Sequence, residues 1–310
     1  MLGEVSHAKE GLEVEIKILD EDGNTLRFLL RGSSIPFANA LRRIMLAEVP
    51  TMAIDDAVII ENTSVMYDEV LAHRLGLLPL VTDLDTYVMP EECSCKSELG
   101  CSKCRVVFTL EAEAKEEVKT VYSRDLVPDP SNPSIKVVSD DIPLVKLAPG
   151  QRIKLEAYAR LGRGEMHAKW QPLSLCAYKF MPKISINRTN CGGQECGKCV
   201  EVCHKKVLSL KNGALKVENP MDCTLCGDCM KACPSGAINV GYDSSSFIYS
   251  LETLGGLPNK RIVLEAAKIL AKKAESFREA LSEILKEEAI GEGKAEEGKK
   301  GEAKDEAKEE

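Results

Sequence analysis

The sequence is poor in aromatic residues and lacks long apolar runs. Phenylalanine, tyrosine and tryptophan make up 5% of its 310 residues, whereas the apolar fraction of 44% is typical of a globular protein. No run of about 18 apolar residues occurs, so we expect no membrane span. The first residues lack the basic-then-apolar layout of a signal peptide. We therefore expect a cytoplasmic chain of two or three domains.

Recognisable catalytic motifs are also absent. The four histidines, His7, His73, His167 and His204, fit no nucleophile or zinc-hydrolase motif, and no P-loop glycine–lysine signature is present. The "GRG" at 162–164 is too short to indicate nucleotide binding, and a turn between strands explains it. We therefore expect this chain to carry out no chemistry alone.

Positive charge is in deficit. The chain has 41 lysines and arginines against 49 aspartates and glutamates, which gives a formal net charge of -8 and a pI near 5.3. Such a surface repels phosphate backbones unless its basic residues cluster. We therefore expect no direct, sequence-specific contact with nucleic acid.

Cysteine, in contrast, is abundant. Thirteen cysteines in a reducing compartment indicate metal ligation rather than disulfides. Twelve of them fall into three groups, at 93–104, 191–203 and 223–233. Cys176, in "PLSLCAYKF", stands alone, and we predict that it is a small residue buried in a core.

The last cysteine group fits the pattern C-x2-C-x2-C-x3-C-P of iron–sulfur proteins. Its residues are Cys223, Cys226, Cys229, Cys233 and Pro234. A shift by thirty residues superposes Cys196, Cys199 and Cys203 on Cys226, Cys229 and Cys233, and "KVLSL" on "GAINV". This repeat predicts a ferredoxin-like module for two 4Fe-4S clusters at 183–242.

The repeat also predicts the ligands, because in two-cluster ferredoxins the fourth cysteine of a run ligates the other cluster. The first cluster would be held by Cys203, Cys223, Cys226 and Cys229. The second cluster would be held by Cys191, Cys196, Cys199 and Cys233. Position 193, where the pattern expects cysteine, is glycine, so Cys191 has to fold back through "CGGQEC". A three-iron form or no second cluster therefore stays open, and two zinc sites are the alternative for the whole module.

The group at 93–104, "CSCKSELGCSKC", places four thiols on a short polar segment, which we name the cysteine loop. Its cysteines are Cys93, Cys95, Cys101 and Cys104. Four thiolates can close around one tetrahedral zinc ion with no open position, which predicts a structural site. The alternative is a metal-free or oxidised loop, and the tight C-x-C pair leaves the zinc occupancy open.

Hydrophobic periodicity predicts an α+β chain. Apolar and charged residues alternate on both sides of "DEDGN", which predicts a hairpin over 12–30. "SSIPFANALRRIMLAEVP" predicts a serine-capped helix with an apolar side. "YDEVLAHRLGLLPL" predicts a second helix, and residues 81–172 predict short strands and loops. The apolar face of the second helix would comprise Tyr67, Val70, Leu71 and Leu75.

Residues 259–285 predict one helix about 40 Å long. Its apolar stripe has heptad-like spacing and comprises Val263, Ala267, Leu270, Ala274, Phe277, Leu281 and Ile284. No second helix of that length is predicted, so the stripe packs either on another polypeptide or on the sheet of this chain. Residues 286–310 contain almost nothing to bury, and we predict a disordered charged tail.

Three separated stretches resemble a known family. They are "SIPFANALRRIMLAEVPTMAID", "EVLAHRLGLLPL" and "SLETLGGLPNKRIVLEAAKIL". Together they resemble the D-subunit family of archaeal DNA-directed RNA polymerase, whose relatives are the third-largest subunit of eukaryotic polymerase II and the N-terminal domain of the bacterial alpha subunit. The resemblance covers most of 1–285. A ferredoxin-like insertion occurs in some archaeal members of this family.

The resemblance implies a split, alpha-like dimerisation domain over 1–50 and 243–285, which pairs with the small subunit L. It also implies a β-rich insert domain over 51–182, which carries the cysteine loop and docks subunits N and P and the large catalytic subunits. The residues expected at partner surfaces are Phe37, Leu41, Arg42, Arg43, Ile44, Leu270, Phe277 and Leu281. Arg42 and Arg43 match an arginine pair that faces a large subunit in relatives, although two solvated arginines would give the same pattern.

These features favour a non-catalytic assembly platform of DNA-directed RNA polymerase, with nucleotide addition on the large subunits. The iron–sulfur module would stabilise the assembly and could make it responsive to iron or to redox state. The rival hypothesis is a ferredoxin-type electron-transfer subunit of a redox enzyme. Against it, the module is inserted within a larger fold, with no flavin or nicotinamide motif beside it.

Overall fold

The computed structural model describes residues 14–97, 100–130 and 134–305. None of the helices within these ranges is both long and apolar enough to span a membrane. In chain order the strands and helices are β1 (Glu15–Asp22), β2 (Thr25–Arg31), α1 (Ile35–Ala47), β3 (Thr51–Asn62), α2 (Asp68–Gly76), β4 (Val106–Glu113), β5 (Lys119–Tyr122), β6 (Val127–Pro128), β7 (Pro143–Leu147), β8 (Arg152–Gly162), β9 (Leu173–Ile186), α3 (Lys198–Glu201), β10 (Leu208–Lys211), β11 (Ala214–Val217), α4 (Asp228–Ala232), β12 (Ile238–Thr253) and α5 (Asn259–Asp305).

Strands from both ends of the chain form the first sheet, which is antiparallel with the order β1-β2-β12-β9. β12 pairs with β2 on one side and with β9 on the other. β9 begins at Leu173, within the range 51–182 expected for the insert domain. Because β9 pairs with β12 along its length, it belongs to the first sheet.

Helices α1 and α5 cover one face of the first sheet. The Ser34 hydroxyl accepts the backbone N–H of Phe37, which provides the predicted N-cap of α1. On the sheet, the rings of Phe28 and Tyr249 stack with their centroids 4.7 Å apart. The Tyr249 hydroxyl donates to the Ala38 carbonyl at 2.6 Å, which joins the centre of the sheet to α1.

A second sheet, with the order β3-β8-β4-β6, builds the other large core. β8 lies between β3 and β4, and every second residue of β8 points into this core. These residues are Ile153, Leu155, Ala157, Ala159 and Leu161. β3 is absent from the sequence-based prediction. Its first half is buried on both sides, but Val58 and Ile60 in its second half are exposed, so β3 lacks one consistent strand pattern.

The predicted hairpin forms as β1 and β2, but the apolar side of β1 is not covered. Ile16 and Ile18 are 59% and 49% exposed, although they pair with the buried residues Leu30 and Phe28. Paired residues of an antiparallel sheet point to the same face. The covered core therefore stops at β2, and β1 extends its apolar face beyond the helices.

The two remaining helices differ from their predictions. In α2, Leu71 and Leu75 are fully buried, whereas Tyr67 and Val70 are largely exposed, so the buried stripe is narrower than predicted. Helix α5 continues to Asp305, although the sequence predicts a disordered tail from residue 286. Alanine, glutamate and lysine, which dominate this segment, are strong helix formers. The rest of the predicted tail, 306–310, lies outside the described residues.

β9 and β12 continue beyond the first sheet as a two-stranded ribbon that carries the cysteine-rich module. Ile186 pairs with Ile238 at the far end of this ribbon, and a bulge between Asp243 and Phe247 separates the ribbon from the sheet. A small third core closes the module. The module is therefore an insertion between two paired strands, which tie it to the first sheet.

Candidate metal centres and interaction surfaces

The cysteine-rich module repeats its backbone as well as its sequence. Helices α3 and α4 follow Gly197 and Gly227, whose φ angles of 57° and 76° are left-handed. Glycine adopts this conformation without strain. In the first half, the N–H of Val207 donates to Cys203 Sγ at 3.4 Å, and the equivalent bond to Cys233 Sγ in the second half measures 3.2 Å. The thirty-residue shift found in the sequence therefore also relates the two folded halves.

One cavity of the module, which we name cavity A, collects cysteines from both halves. Its cysteines are Cys203, Cys223, Cys226 and Cys229. Cys226 is exposed, and the other three are half-buried. The structure thus places around one space the four thiols that the swapped ligand pattern predicts for the first cluster.

A second cavity, cavity B, collects the other four thiols of the module. Its cysteines are Cys191, Cys196, Cys199 and Cys233. Gly193 occupies the position where the pattern expects cysteine, and its φ is 56°. A Cβ atom at this residue would lie 2.4 Å from the carbonyl oxygen of Gly213. The backbone therefore requires glycine here, and Cys191 supplies the fourth thiol.

The chemistry of both cavities fits an iron–sulfur cluster. Burial raises the pKa of Cys199 and of Cys229, and charge on the other thiols of the same cavity raises it further. Thiolates crowded in this way need a positively charged metal centre to stay ionised. Apolar side chains, including Leu215 and Ile238, line cavity B, and backbone N–H groups point at cysteine sulfurs. Thiolate ligands, partial burial and N–H···S bonds are the features by which proteins hold and tune such clusters.

The four sulfurs of the cysteine loop lie closer to one another than the sulfurs around either cavity. Sγ–Sγ distances are 3.7 Å for Cys93 and Cys101, 3.8 Å for Cys95 and Cys104, and 3.9 Å for Cys101 and Cys104. A tetrahedral zinc ion with Zn–S bonds of about 2.3 Å requires S–S separations of about 3.8 Å. Among the described residues, this is the one group of three or more potential ligands with all ligand atoms within 4.8 Å of one another.

The thiols of the cysteine loop differ in pKa. A hydrogen bond from the Lys103 backbone lowers the pKa of Cys101 to about 7, whereas burial raises the pKa of Cys104 to about 12. The N–H of Cys101 donates to Cys104 Sγ at 3.2 Å. Gly100, with φ of 73°, permits the turn directly before Cys101. Four thiols that face one another leave no position for a substrate, so the site suits a structural metal.

Cys176 lies apart from these three groups. It is 8% exposed, and its thiol donates to the Arg42 carbonyl at 3.8 Å. Burial raises the pKa of Cys176 to about 12, so the thiol stays protonated and unreactive. The prediction of a buried packing residue is confirmed.

The residues expected at partner surfaces divide into two groups. Leu41 and Ile44 are each 4% exposed and belong to the core beneath α1, so in this structure neither offers surface to a partner. Leu270 is half-buried against the same core. Phe277 and Leu281 are 72% and 45% exposed on α5. The outer half of α5 is therefore exposed in this chain, whereas the inner side of α1 faces the core.

The outer side of α1 presents other candidates. Phe37 is 41% exposed, and Arg43 is exposed next to the half-buried Arg42. The Arg42 guanidinium donates twice to the side-chain oxygen of Asn39, at 3.0 and 3.2 Å. Arg42 is thus held along the helix, whereas Arg43 points to solvent.

Comparisons with known proteins agree with this architecture. Residues 57–174 match the family model of the RNA polymerase Rpb3/RpoA insert domain, and residues 182–237 match that of a 4Fe-4S dicluster domain. The DNA-directed RNA polymerase subunit Rpo3 of Methanosphaera stadtmanae is 42% identical over 85% of this chain and 97% of its own length. Subunit Rpo3 of Archaeoglobus fulgidus is 42% identical over 87% of this chain and 98% of its own length. Subunit Rpo3 of Methanosarcina acetivorans is 39% identical over 88% of this chain and 100% of its own length.

The chain belongs to the Rpo3 family of DNA-directed RNA polymerase subunits. This confirms the resemblance seen in the sequence, and it makes the chain a non-catalytic subunit of a nucleotidyltransferase complex. The match to a dicluster domain supports iron–sulfur binding by the module. The rival hypothesis of an electron-transfer subunit is not favoured, because the Rpo3 relatives align over most of the chain.

Two contacts of this Rpo3-family chain were missed by the sequence reasoning. Lys179 Nζ donates to the Cys223 carbonyl at 2.9 Å, and the Arg27 guanidinium lies 3.8 Å from a carboxylate oxygen of Asp222. Both contacts join the first sheet to the module. Neither residue lies in a motif. Strand alternation could only have shown that Lys179 and Arg27 point away from the helix-covered face.

Proposed function

We propose that this chain is a cytoplasmic assembly platform, which pairs with the small subunit L and holds two 4Fe-4S clusters and one zinc ion in structural roles. The proposal depends above all on one observation, the uncovered apolar stripe on the outer half of α5. The clusters and the zinc ion would hold the body that presents this stripe.

The outer half of α5 extends beyond the core of this chain. Phe277, Leu281 and Ile284 are 72%, 45% and 53% exposed, and they share one side of the helix. Full burial of one such side chain stabilises a complex by about 1.5–3 kcal/mol. Ile16 and Ile18 on β1 add apolar surface on the face of the sheet that carries the helices. A small subunit with its own long helix would cover both regions.

The two cavities support a structural role for the clusters. Cavity A combines Cys203 with three cysteines of the second half, and cavity B combines Cys233 with cysteines of the first half. Each cluster would therefore join both halves of the module. Because the ligands come together only in the folded chain, the free energy of cluster binding becomes free energy of folding. Assembly could respond to iron supply or redox state through the same coupling.

The insert domain offers docking surface for subunits N and P and for the large catalytic subunits. Val58 and Ile60 are 51% and 55% exposed on the edge strand β3. Outside the insert domain, Arg43 on α1 is exposed and offers a charged contact to a large subunit. A zinc ion in the cysteine loop would hold residues 93–104 in one shape beside this sheet. Apolar residues on an uncovered edge strand suit a permanent protein contact.

The test is co-expression of the tagged chain with subunit L under anaerobic conditions. We expect the double variant Phe277→Asp/Leu281→Asp to reduce capture of subunit L at least about 100-fold, because two carboxylates would be buried without partners. The matched control, Glu279→Asp/Glu283→Asp, places two aspartates in the same turns on the polar side and should capture subunit L normally. The unmodified chain should contain about eight iron atoms, from two four-iron clusters, and about one zinc. Equal capture by the two variants would refute the pairing surface.

A further inference from the structure

The turn at 220–223 of the module lies across the outer face of the first sheet, opposite the helices. Its residue Cys223 accepts a hydrogen bond from Lys179 on β9, and its residue Asp222 pairs with Arg27 on β2. In the sheet, β12 lies between β2 and β9. A turn that contacts both strands flanking β12 therefore crosses β12.

This crossing coincides with an apolar row on the outer face. Ile248 on β12 pairs with Leu29 on β2 and with Lys179 on β9. Leu29 and Ile248 are each 1% exposed. Neither belongs to the core beneath the helices, because strand alternation turns them to the opposite face. They are buried on the side of the sheet that the 220–223 turn crosses.

The turn belongs to only one of the two predicted cluster sites. Cys223 lines cavity A. The cysteines of cavity B lie elsewhere in the module, at 191, 196, 199 and 233. The two cavities thus differ in their connection to the first sheet, although the repeat makes them alike internally.

We propose that Lys179 and Arg27 are positioning residues that couple the cluster of cavity A, and not that of cavity B, to the first sheet. The inference rests on the proposed function, in that a cluster is assumed at cavity A. A cluster at cavity A fixes Cys223, which holds the 220–223 turn on the sheet and keeps Leu29 and Ile248 covered. Without that cluster the turn is released and the apolar row becomes accessible to water.

The charge of Lys179 gives the coupling a second consequence. The ammonium group lies 2.9 Å from the backbone carbonyl of Cys223, a ligand residue of cavity A. A nearby positive charge stabilises the more negative, reduced state of a cluster and raises its reduction potential. Loss of this charge should lower the potential of one cluster and leave that of the other unchanged.

The first experiment compares Cys226→Ser in cavity A with Cys199→Ser in cavity B, each in the full chain. The hydrogen bond and the ion pair that join the module to the first sheet involve neither residue. Each variant removes one predicted ligand. We expect amide hydrogen exchange around Leu29 and Ile248 to become at least about tenfold faster in Cys226→Ser and to change less than about twofold in Cys199→Ser. Equal acceleration in both variants would overturn the inference.

The second experiment replaces the positioning residue itself. Lys179→Met should retain the iron content, accelerate exchange around Leu29 and Ile248, and lower one of two reduction potentials in a titration followed by electron paramagnetic resonance. Lys183→Met, on the same strand, is the matched control and should change neither property. Lys179→Arg should restore both. If Lys179→Met leaves exchange and potentials unchanged, the coupling is wrong.

These results are separable from those that test the proposed function. Capture of subunit L is measured on the same preparations. If the unmodified chain fails to capture subunit L but the two cysteine variants show the expected difference in exchange, the pairing surface is wrong and the coupling stands. If it captures subunit L but both cysteine variants exchange alike, only the coupling is wrong.

Discussion

The cysteine loop and the cysteine-rich module both gather thiols, but they do so on different scales. In the loop, four sulfurs from a stretch of twelve residues lie within 4.8 Å of one another. In the module, eight thiols line two cavities, and each cavity draws cysteines from both halves. The spacing of the ligands along the chain therefore decides how much structure a metal centre can hold. A metal ion in the cysteine loop would hold only residues of that loop. A cluster in either cavity would instead join Cys203 or Cys233 to cysteines of the other half of the module.

The two large cores also differ in how completely they are covered. The core of the insert domain is closed by its own sheet and α2. The core of the first sheet is open at its margins, at Ile16 on β1 and at Phe277 on α5. The cysteine groups follow the same division, since the cysteine loop belongs to the closed part and the module is carried by strands of the open part.

The largest expected difference between the two regions concerns single ligand substitutions. Cys229→Ser should remove about four iron atoms and destabilise the whole module, because structural metal binding supplies on the order of 10 kcal/mol to folding. Cys104→Ser should remove the zinc and affect only 93–104. Limited proteolysis combined with iron and zinc analysis measures both effects. Cys176→Ala, outside all three groups, serves as the control and should keep both metals. The contrast fails if Cys104→Ser also makes the module sensitive to protease.

A smaller effect concerns the pH dependence of zinc binding by the cysteine loop. Zinc binds thiolates, so it displaces protons from Cys93 and Cys104, whose pKa values are raised, and below pH 7 also from Cys101, whose pKa is about 7. Zinc affinity should therefore fall as the pH falls, by at least about 100-fold per unit between pH 8 and 7 and by at least about 1000-fold per unit between pH 6 and 5. Competition with a chelator of known affinity measures both slopes. Two equal slopes would contradict the lowered pKa of Cys101.

The smallest expected effect lies at the base of the ribbon. The Asp243 carboxylate accepts hydrogen bonds from the backbone N–H and the hydroxyl of Ser245 and from the hydroxyl of Ser246. These bonds lower the pKa of Asp243 below 3.8, and the bonds from Ser245 have the largest effect. Asp243→Asn should reduce stability by about 1 kcal/mol. A lowered pKa contributes stability above the unfolded value and loses it only as the pH falls through the folded value.

The difference between Asp243→Asn and the unmodified chain should therefore stay constant between pH 8 and 5. Urea unfolding of anaerobic samples at several pH values measures it. The ion-pair partner Lys183 is 68% exposed, so Lys183→Met should cost less. If the stability difference between Asp243→Asn and the unmodified chain disappears already at pH 5, the pKa of Asp243 is not lowered.

The sequence predicted which cysteines the fold brings together, because the spacing of cysteines along the chain is a local property. The swapped grouping followed from a repeat of thirty residues, and Cys191 lines cavity B although Gly193 breaks the pattern. A serine cap was predicted for the same reason, since a helix start depends on a few neighbouring residues, and the structure shows that Ser34 provides it. β3 escaped prediction because the burial of its two faces changes along its length.

By itself the sequence determined which residues can hold metal, where α1 begins and that α5 carries an apolar stripe. Only the tertiary structure decided which apolar faces remain uncovered, so that Leu41 lies in a core while Ile16 and Phe277 do not. It also decided that Lys179 reaches Cys223. The physical reason is that burial and contact depend on which distant strands pair, and the order β1-β2-β12-β9 joins segments that the chain itself keeps far apart.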